Sequence, residues 1–172
     1  MKSNNKFSLT VTSNSYNESF VRVAVSSFIA QLDPTIDELC DIKTAVSEAV
    51  TNSIVHAYKN YIGKIYITTE LYEDRSVVIK IRDRGCGIDN VDEALTPFFT
   101  TLSGEERSGL GFTIMQTFMD EFSLQSEKGK GSEFSFIIPF CANSCPSGKR
   151  VFASSRCWIP TMPLWNSARF CN

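Results

Sequence analysis

The chain has 172 residues, enough for one domain with a sizeable core. Hydrophobic residues at 42% and charged residues at 21% are those of an ordinary globular protein, and no apolar run reaches the ~18 residues of a membrane span. The formal charge of −2 hides an asymmetry: residues 1–140 carry 13 Lys and Arg against 19 Asp and Glu, while residues 141–172 carry four cations and no acid. An acidic core argues against duplex nucleic acid as the main partner, because phosphate contacts need clustered cations.

The opening "MKSNNKFSLTV" lacks the apolar core of a signal peptide, which makes the cytoplasm the expected location. "KFSLTV" reads as a first strand. "NESFVRVAVSSFIAQL" has helical spacing of Phe20, Val23, Phe28, Ile29 and Leu32, with Asn17 as N-cap. "DPTIDEL" breaks and restarts the helix. Pro34 suits a first helical position, and Thr35 with Glu38 forms a capping box. This second helix is expected from about Pro34 to Tyr58. "KIYITTELY" and "SVVIKIRD" alternate as strands around an "EDR" turn. "RGCGIDN" is a glycine-punctuated loop, "TPFFTTLSGEERSG" has no clear period, and "LGFTIMQTFMDEF" is an amphipathic helix. "SLQSE", "GKG" and "SEFSFIIPF" form a closing hairpin. This order predicts an α+β two-layer sandwich, a mixed β-sheet with helices on one face.

The regular pattern ends near Phe140, which divides a domain of residues 1–140 from a poorly ordered extension of residues 141–172. That extension holds both tryptophans, Trp158 and Trp165, and Cys141, Cys145, Cys157 and Cys171. Its cysteine spacing matches no zinc pattern and it has no histidine. Without a secretion signal, disulfides are not expected.

Three constellations carry possible chemistry. In "EAVTNSIVH", Glu48, Asn52 and His56 are spaced by four, which puts them in one row on a helix. Alone, such a row is equally a solvated stripe. "DRGCG" places Asp83 at a strand end with Gly85 and Gly87 after it. An acid there can accept a hydrogen bond from an exocyclic amine, and the glycines let a ligand approach the backbone. Alone, it is equally an ordinary Asp-Gly turn. "ERSGLGF" puts free backbone amides at a helix start, a ready anion site, with Arg107 beside it as a cation. Alone, it is equally a loop and a capped helix. No P-loop and no protein-kinase H-R-D or D-F-G set is present.

In this order and spacing, the three resemble the boxes of the ATP-binding (Bergerat-type) module shared by DNA gyrase, ninety-kilodalton heat-shock chaperones, sensor histidine kinases and mismatch-repair ATPases. The boxes are E-x-x-x-N, D-x-G-x-G and a glycine pair opening a helix after a lid, and the resemblance covers roughly residues 6–140. "NESFVRVAVSSFIAQLDPTIDEL", "IKTAVSEAVTNSIVHAY" and "FTT…ERSGLGFTIMQTFMD" look, within that superfamily, like the sporulation anti-sigma F factors, small serine-protein kinases. The resemblance implies a protein that binds and silences an RNA polymerase sigma factor and phosphorylates a serine of its anti-anti-sigma antagonist. It implies ATP and Mg²⁺ as cofactors, with Asn52 on the metal and Glu48 orienting or deprotonating the attacking hydroxyl. Asp83 takes the adenine amino group. Gly85, Gly87, Thr101, Ser108, Gly109, Leu110, Gly111 and Ser132 join Asn52 and Asp83 as nucleotide contacts, and Arg107 meets the γ-phosphate. His56 is either a packed neighbour or a contact. Arg22, spaced four from Glu18, is implied as a contact for both protein partners, and a homodimer is implied on the first strand and first helix. No membrane and no direct nucleic-acid partner is implied.

Two departures stand out. The family often has Thr-Thr-Lys where this chain has Thr100-Thr101-Leu102, and it usually ends soon after the last strand. A second reading is a nucleotide-gated sigma-sequestering module with little kinase turnover; the presence of Glu48 favours the kinase. A histidine-kinase catalytic domain is disfavoured because the single histidine, His56, lies within the nucleotide helix.

Overall fold

The computed structural model describes residues 3–59, 61–96 and 110–140. Strand β1 (Ser3–Thr12) is followed by helix α1 (Tyr16–Ile29), a short 3₁₀ turn, and helix α2 (Ile36–Asn52), which runs on into a π turn over Ser53–Ala57. Strands β2 (Lys64–Tyr72) and β3 (Ser76–Arg82), helices α3 (Val91–Ala94) and α4 (Gly111–Phe118), and strands β4 (Glu121–Glu127) and β5 (Gly131–Pro139) complete the fold. The strands form one sheet in the order β1-β2-β3-β5-β4.

The two-layer α+β architecture is as the sequence predicts. The mixed sheet is refined: all four neighbouring pairs are antiparallel. β3 and β4 do run in the same sense, but the closing hairpin inserts β5 between them. Every adjacent pair therefore takes the antiparallel ladder.

The inner face carries Ile65, Ile67, Val77, Ile79, Ile81, Phe134, Phe136 and Ile138, all nearly fully buried. Against it pack Val21, Val25 and Ile29 of α1, Ile42, Val46, Ala49 and Val50 of α2, and Met115 of α4. Burying each large side chain contributes roughly 1.5–3 kcal/mol. The outer face presents Lys6, Tyr66, Thr68, Glu70, Lys80, Arg82 and Glu133 around a shallow groove. One solvated face is usual for an antiparallel sheet.

Several local expectations hold. Thr35 is the N-cap of α2: its Oγ1 accepts from the Glu38 amide at 3.2 Å, and Glu38 Oε2 accepts from the Thr35 amide at 2.8 Å. Such a cap is worth about 1 kcal/mol. Pro34 precedes this cap rather than opening the helix. The "EDR" hairpin turn is present, with Arg75 at φ 63° and Asp74 Oδ1 accepting from the Ser76 amide at 3.0 Å.

Others are corrected. α1 has Ser15, not Asn17, as its N-cap; Asn17 instead donates from Nδ2 to the Thr12 carbonyl at 2.9 Å, tying the helix start to β1. Phe20 and Val23 do not face the core and are 53% and 57% exposed. Val21 and Val25 take that place, in line with Ile29, which the spacing did pick out, because α1 is apolar on two sides and only one can meet the sheet. α4 ends at Phe118, so Glu121 and Phe122 belong to β4. α3 is an unexpected short helix capped by Asn90, whose Oδ1 accepts from the Glu93 amide at 3.2 Å. Cys40 and Cys86 are both free thiols. Among the described residues, no helix is long and apolar enough to cross a membrane. The extension after Phe140 lies outside the described residues.

Candidate nucleotide-binding site

α2 carries the opening row. Ala45, Val46, Ala49 and Val50 bury its core face and so fix its rotation. Glu48 and Asn52, one turn apart, meet the first residue of α4: a Cβ on Gly111 would stand 2.7 Å from Glu48 Oε2 and 3.8 Å from Asn52 Nδ2. A side chain where α4 begins would push the Glu48 carboxylate aside. α4 has no side-chain cap at Leu110, so its leading amides point outward beside Glu48 and Asn52.

The row does not continue to His56 as a regular α-helix would carry it. Beyond Asn52 the chain adopts a π turn, whose i→i+5 bonding widens the helix, a feature frequent at functional sites. Its carbonyls become a docking strip. The Cys86 amide donates to the Ala57 carbonyl at 3.0 Å, and Cys86 Sγ donates to the His56 carbonyl at 3.1 Å. Tyr58, just after the turn, donates its hydroxyl to the Lys64 carbonyl and accepts from the Arg84 amide, both at 2.7 Å.

These contacts clamp the Asp83–Gly87 loop at the end of β3. The Asp83 amide donates to the Ser132 carbonyl at 2.9 Å, extending the β3–β5 ladder by one residue. The Asp83 side chain is 2% exposed. Its Oδ1 accepts from the Gly85 amide at 2.9 Å and the Ser132 amide at 3.1 Å, and its Oδ2 accepts from Ser53 Oγ at 3.2 Å. Burial pushes the Asp83 carboxyl up from its ordinary value, while these three hydrogen bonds oppose the rise.

The two glycines of this loop have a reason other than ligand approach. A Cβ on Gly85 would lie 2.2 Å from the Ala57 carbonyl oxygen, and one on Gly87 2.1 Å from that of Glu127. Gly87 also has φ +67°. Protein backbone, from the π turn on one side and the β4–β5 hairpin on the other, fills the space a side chain would need. Ser132 is 7% exposed and shares a hydroxyl hydrogen bond with Ser126 at 2.8 Å.

Of the residues singled out in sequence, the structure thus brings Glu48, Asn52, Leu110 and Gly111 together. Asp83, Gly85, Gly87 and Ser132 form one hydrogen-bonded or packed cluster, joined to the first group by α2. Arg107, Thr101, Ser108, Gly109 and Leu102 lie outside the described residues. Arg22 sits apart: it pairs with Glu18 at 3.1 Å and also donates to Ser47 Oγ of α2 at 3.3 Å. Ser53 and Tyr58 were missed in sequence. Ser53 directly follows Asn52, but nothing local marks a hydroxyl that will meet Asp83, thirty residues later.

The site can be tested for a divalent cation. Among the described residues no cluster of three or more His, Cys, Asp and Glu is placed to hold one. Asn52 fits a single-ligand arrangement: its amide nitrogen is buried with no hydrogen-bond partner. Turned about its bond, that amide would present a carbonyl oxygen, the hard donor Mg²⁺ prefers when phosphates and waters complete its shell.

A model of the histidine kinase-like ATPase domain matches residues 12–137. Curated relatives named anti-sigma F factor align well. The one from Clostridium beijerinckii is 55% identical over 76% of this chain and 92% of its own. Those from Caldanaerobacter subterraneus and Priestia megaterium are 54% and 56% identical, over 77% and 74% of this chain and 92% and 88% of theirs. Among solved structures, the RsbU and RsbW domains of a Mycobacterium tuberculosis protein share the fold, with a TM-score of 0.58 at 18% identity over 78% of this chain and 32% of theirs. The chain belongs to the histidine kinase-like ATPase family, in its anti-sigma F factor branch.

Proposed function

We propose that the protein is an ATP-dependent serine-protein kinase and anti-sigma factor. It binds and inhibits an RNA polymerase sigma factor, and it phosphorylates a serine of the anti-anti-sigma protein that would displace that sigma factor. The observation that carries this reading is the meeting of Glu48, Asn52 and the uncapped start of α4, with Asp83 buried at the other end of the same cluster. A base, an amide oxygen and outward helix amides are the groups a phosphoryl transfer needs at one end of ATP, and an acceptor for an amine is what it needs at the other.

In this reading Asp83 accepts a hydrogen bond from the adenine amino group. The amides of Gly109 to Gly111 and the hydroxyls of Thr101 and Ser108 face the phosphates, with Arg107 on the γ-phosphate. Asn52 would hold Mg²⁺ through its carbonyl oxygen, and the ion would supply charge neutralisation at the phosphate oxygens. Glu48 takes the proton of the substrate serine as its oxygen attacks the γ-phosphorus and ADP leaves. General-base help of this kind is worth typically 10²–10⁴-fold.

The relatives' name, anti-sigma F factor, supports the sigma partner. Arg22 serves both protein partners, and the exposed apolar stripe of α1, Tyr16, Phe20 and Val23, together with edge strand β1, supports a homodimer on that side. Residues 1–140 form the working domain, with residues 141–172 as an appendage, and the setting is the cytoplasm. The test is incubation with γ-labelled ATP and the anti-anti-sigma protein. Label on a serine of that protein is expected. Nucleotide-dependent sigma binding without label would leave a sequestering module in place of a kinase.

A further inference from the structure

Ser53 stands between two functional residues and has no role in the scheme above. It directly follows Asn52, is fully buried at the start of the π turn, and donates to Asp83 Oδ2 at 3.2 Å. An ionised carboxylate has about four acceptor positions. On Asp83 the amides of Gly85 and Ser132 take two on Oδ1, and Ser53 takes one on Oδ2. One acceptor position remains, and it is on Oδ2.

We propose that Ser53 determines base specificity: it holds Asp83 as an acceptor-only reader, so that the pocket takes a 6-amino purine nucleotide and refuses a 6-oxo one. This rests on the reading of Asp83 as the adenine contact. The chemistry follows from the donors around the carboxyl. Both donors to Oδ1 are backbone amides, which cannot accept a proton in return, so a proton on Asp83 has to sit on Oδ2. A hydroxyl that donates to Oδ2 competes with that proton. Burial favours the neutral acid, and among the described residues Ser53 supplies the only side-chain hydrogen bond that opposes it. Without it, Oδ2 is free to carry a proton and donate to a 6-oxo group. Ser53 continues α2 with helical backbone angles directly after Asn52, so this one helix links the phosphate end of the site to its base-reading end.

The test is the affinity of the full chain for three triphosphates that differ only at the purine: ATP, ITP, which is 6-oxo, and purine riboside triphosphate, which has no group at that position. In the parent, ATP binds tighter than purine riboside triphosphate, and ITP binds weakest. In Ser53→Ala, ATP is expected to weaken about tenfold, the equivalent of one hydrogen bond. Purine riboside triphosphate should stay within about twofold, and the ATP-to-ITP ratio should narrow by about tenfold or more, on the same conversion. Ser53→Thr, which keeps a hydroxyl, should restore the parental ratio. If all three nucleotides weaken by one common factor, or the ratio does not move, Ser53 only packs and the proposal is overturned. A parent that binds ATP and purine riboside triphosphate equally overturns the Asp83 reading itself, a separate result. If Ser53→Ala does not fold, Ser53→Cys, of similar size but a weak donor, gives the same comparison.

Discussion

Gly111 and Glu48 meet where α4 begins against α2: a Cβ on residue 111 would stand 2.7 Å from the carboxylate oxygen Oε2 of Glu48. The crowded atom is the far end of a flexible side chain, so a methyl group there moves Glu48 rather than the backbone. Gly111→Ala should therefore leave thermal stability unchanged or slightly higher, given the better helix propensity of alanine. Phosphotransfer should fall by about tenfold or more, because misplacing a reacting group by an ångström costs on the order of 100-fold. Parallel measurements of melting temperature and labelled phosphoserine formation check this. A melting temperature that drops together with activity would show that the backbone, not Glu48, had moved.

Asp83 has a pH signature of its own. Its folded carboxyl titrates above the unfolded value because burial outweighs its hydrogen bonds. The folded state therefore binds the proton more tightly, and stability from this group is lost as pH rises through the raised folded value. Asp83→Asn removes that loss. The difference in melting temperature between Asp83→Asn and the parent should become more favourable to the mutant on going from about pH 4 to about pH 7, a window that starts at the ordinary carboxylate value. ATP and ADP affinity should fall together in the mutant, because both carry adenine. Weakening of ATP alone would mean that Asp83 does not read the base.

Gly87 and Gly129 both have positive φ, +67° and +78°, yet they predict different costs. A Cβ at Gly129 meets nothing within 4 Å, whereas at Gly87 it meets the Glu127 carbonyl oxygen at 2.1 Å. Gly129→Ala should cost only the backbone strain, about 1–2 kcal/mol. Gly87→Ala adds a clash with fixed backbone and should exceed that by at least ~1 kcal/mol, within the usual overpacking range. Urea unfolding of the two mutants distinguishes them, and equal losses would show that the loop yields at Gly87.

How much of this was readable in the chain depends on the range of the interaction. The capping box at Thr35 and Glu38 and the alternation of β2 and β3 are local, and both were legible. The three boxes were legible as a set because each keeps its own short spacing. Phe20 and Val23 misled because α1 is apolar on two faces, and periodicity does not say which face the sheet will take. The antiparallel position of β5 between β3 and β4 depends on strands far apart in sequence. The π turn has no residue signature, so the displaced His56 does not follow from the four-residue step, and the Ser53–Asp83 bond joins residues thirty apart in sequence. Gly85 and Gly87 were singled out for the approach of a ligand, but the atoms that demand glycine there belong to Ala57 and Glu127, contacts made only in the fold.

Arg22 is not a free cation on a solvated face. It bridges Glu18 on its own helix at 3.1 Å and Ser47 on α2 at 3.3 Å, which fixes its guanidinium between the two helices. A half-exposed i,i+4 helix pair of this kind contributes only about 0.3–0.5 kcal/mol to stability. Its planar fork is better suited to a partner's carboxylate. Arg22→Ala should weaken binding of the sigma factor and of the anti-anti-sigma protein by about tenfold or more, as for an interface hot spot. ATP affinity and melting temperature should barely change. Titration of each partner in saturating nucleotide checks this, and unchanged affinity for both would return Arg22 to a purely structural role.

The central claim is that Glu48 is the base of a protein kinase. Its direct test is Glu48→Gln, which keeps the size of the side chain and removes the proton acceptor. The measurement is the rate at which label passes from γ-labelled ATP to the anti-anti-sigma serine, with ATP affinity measured alongside. The account predicts nucleotide affinity close to that of the parent and phosphotransfer lower by about 100- to 10,000-fold. Phosphotransfer within about threefold of the parent, far short of any general-base contribution, would contradict it.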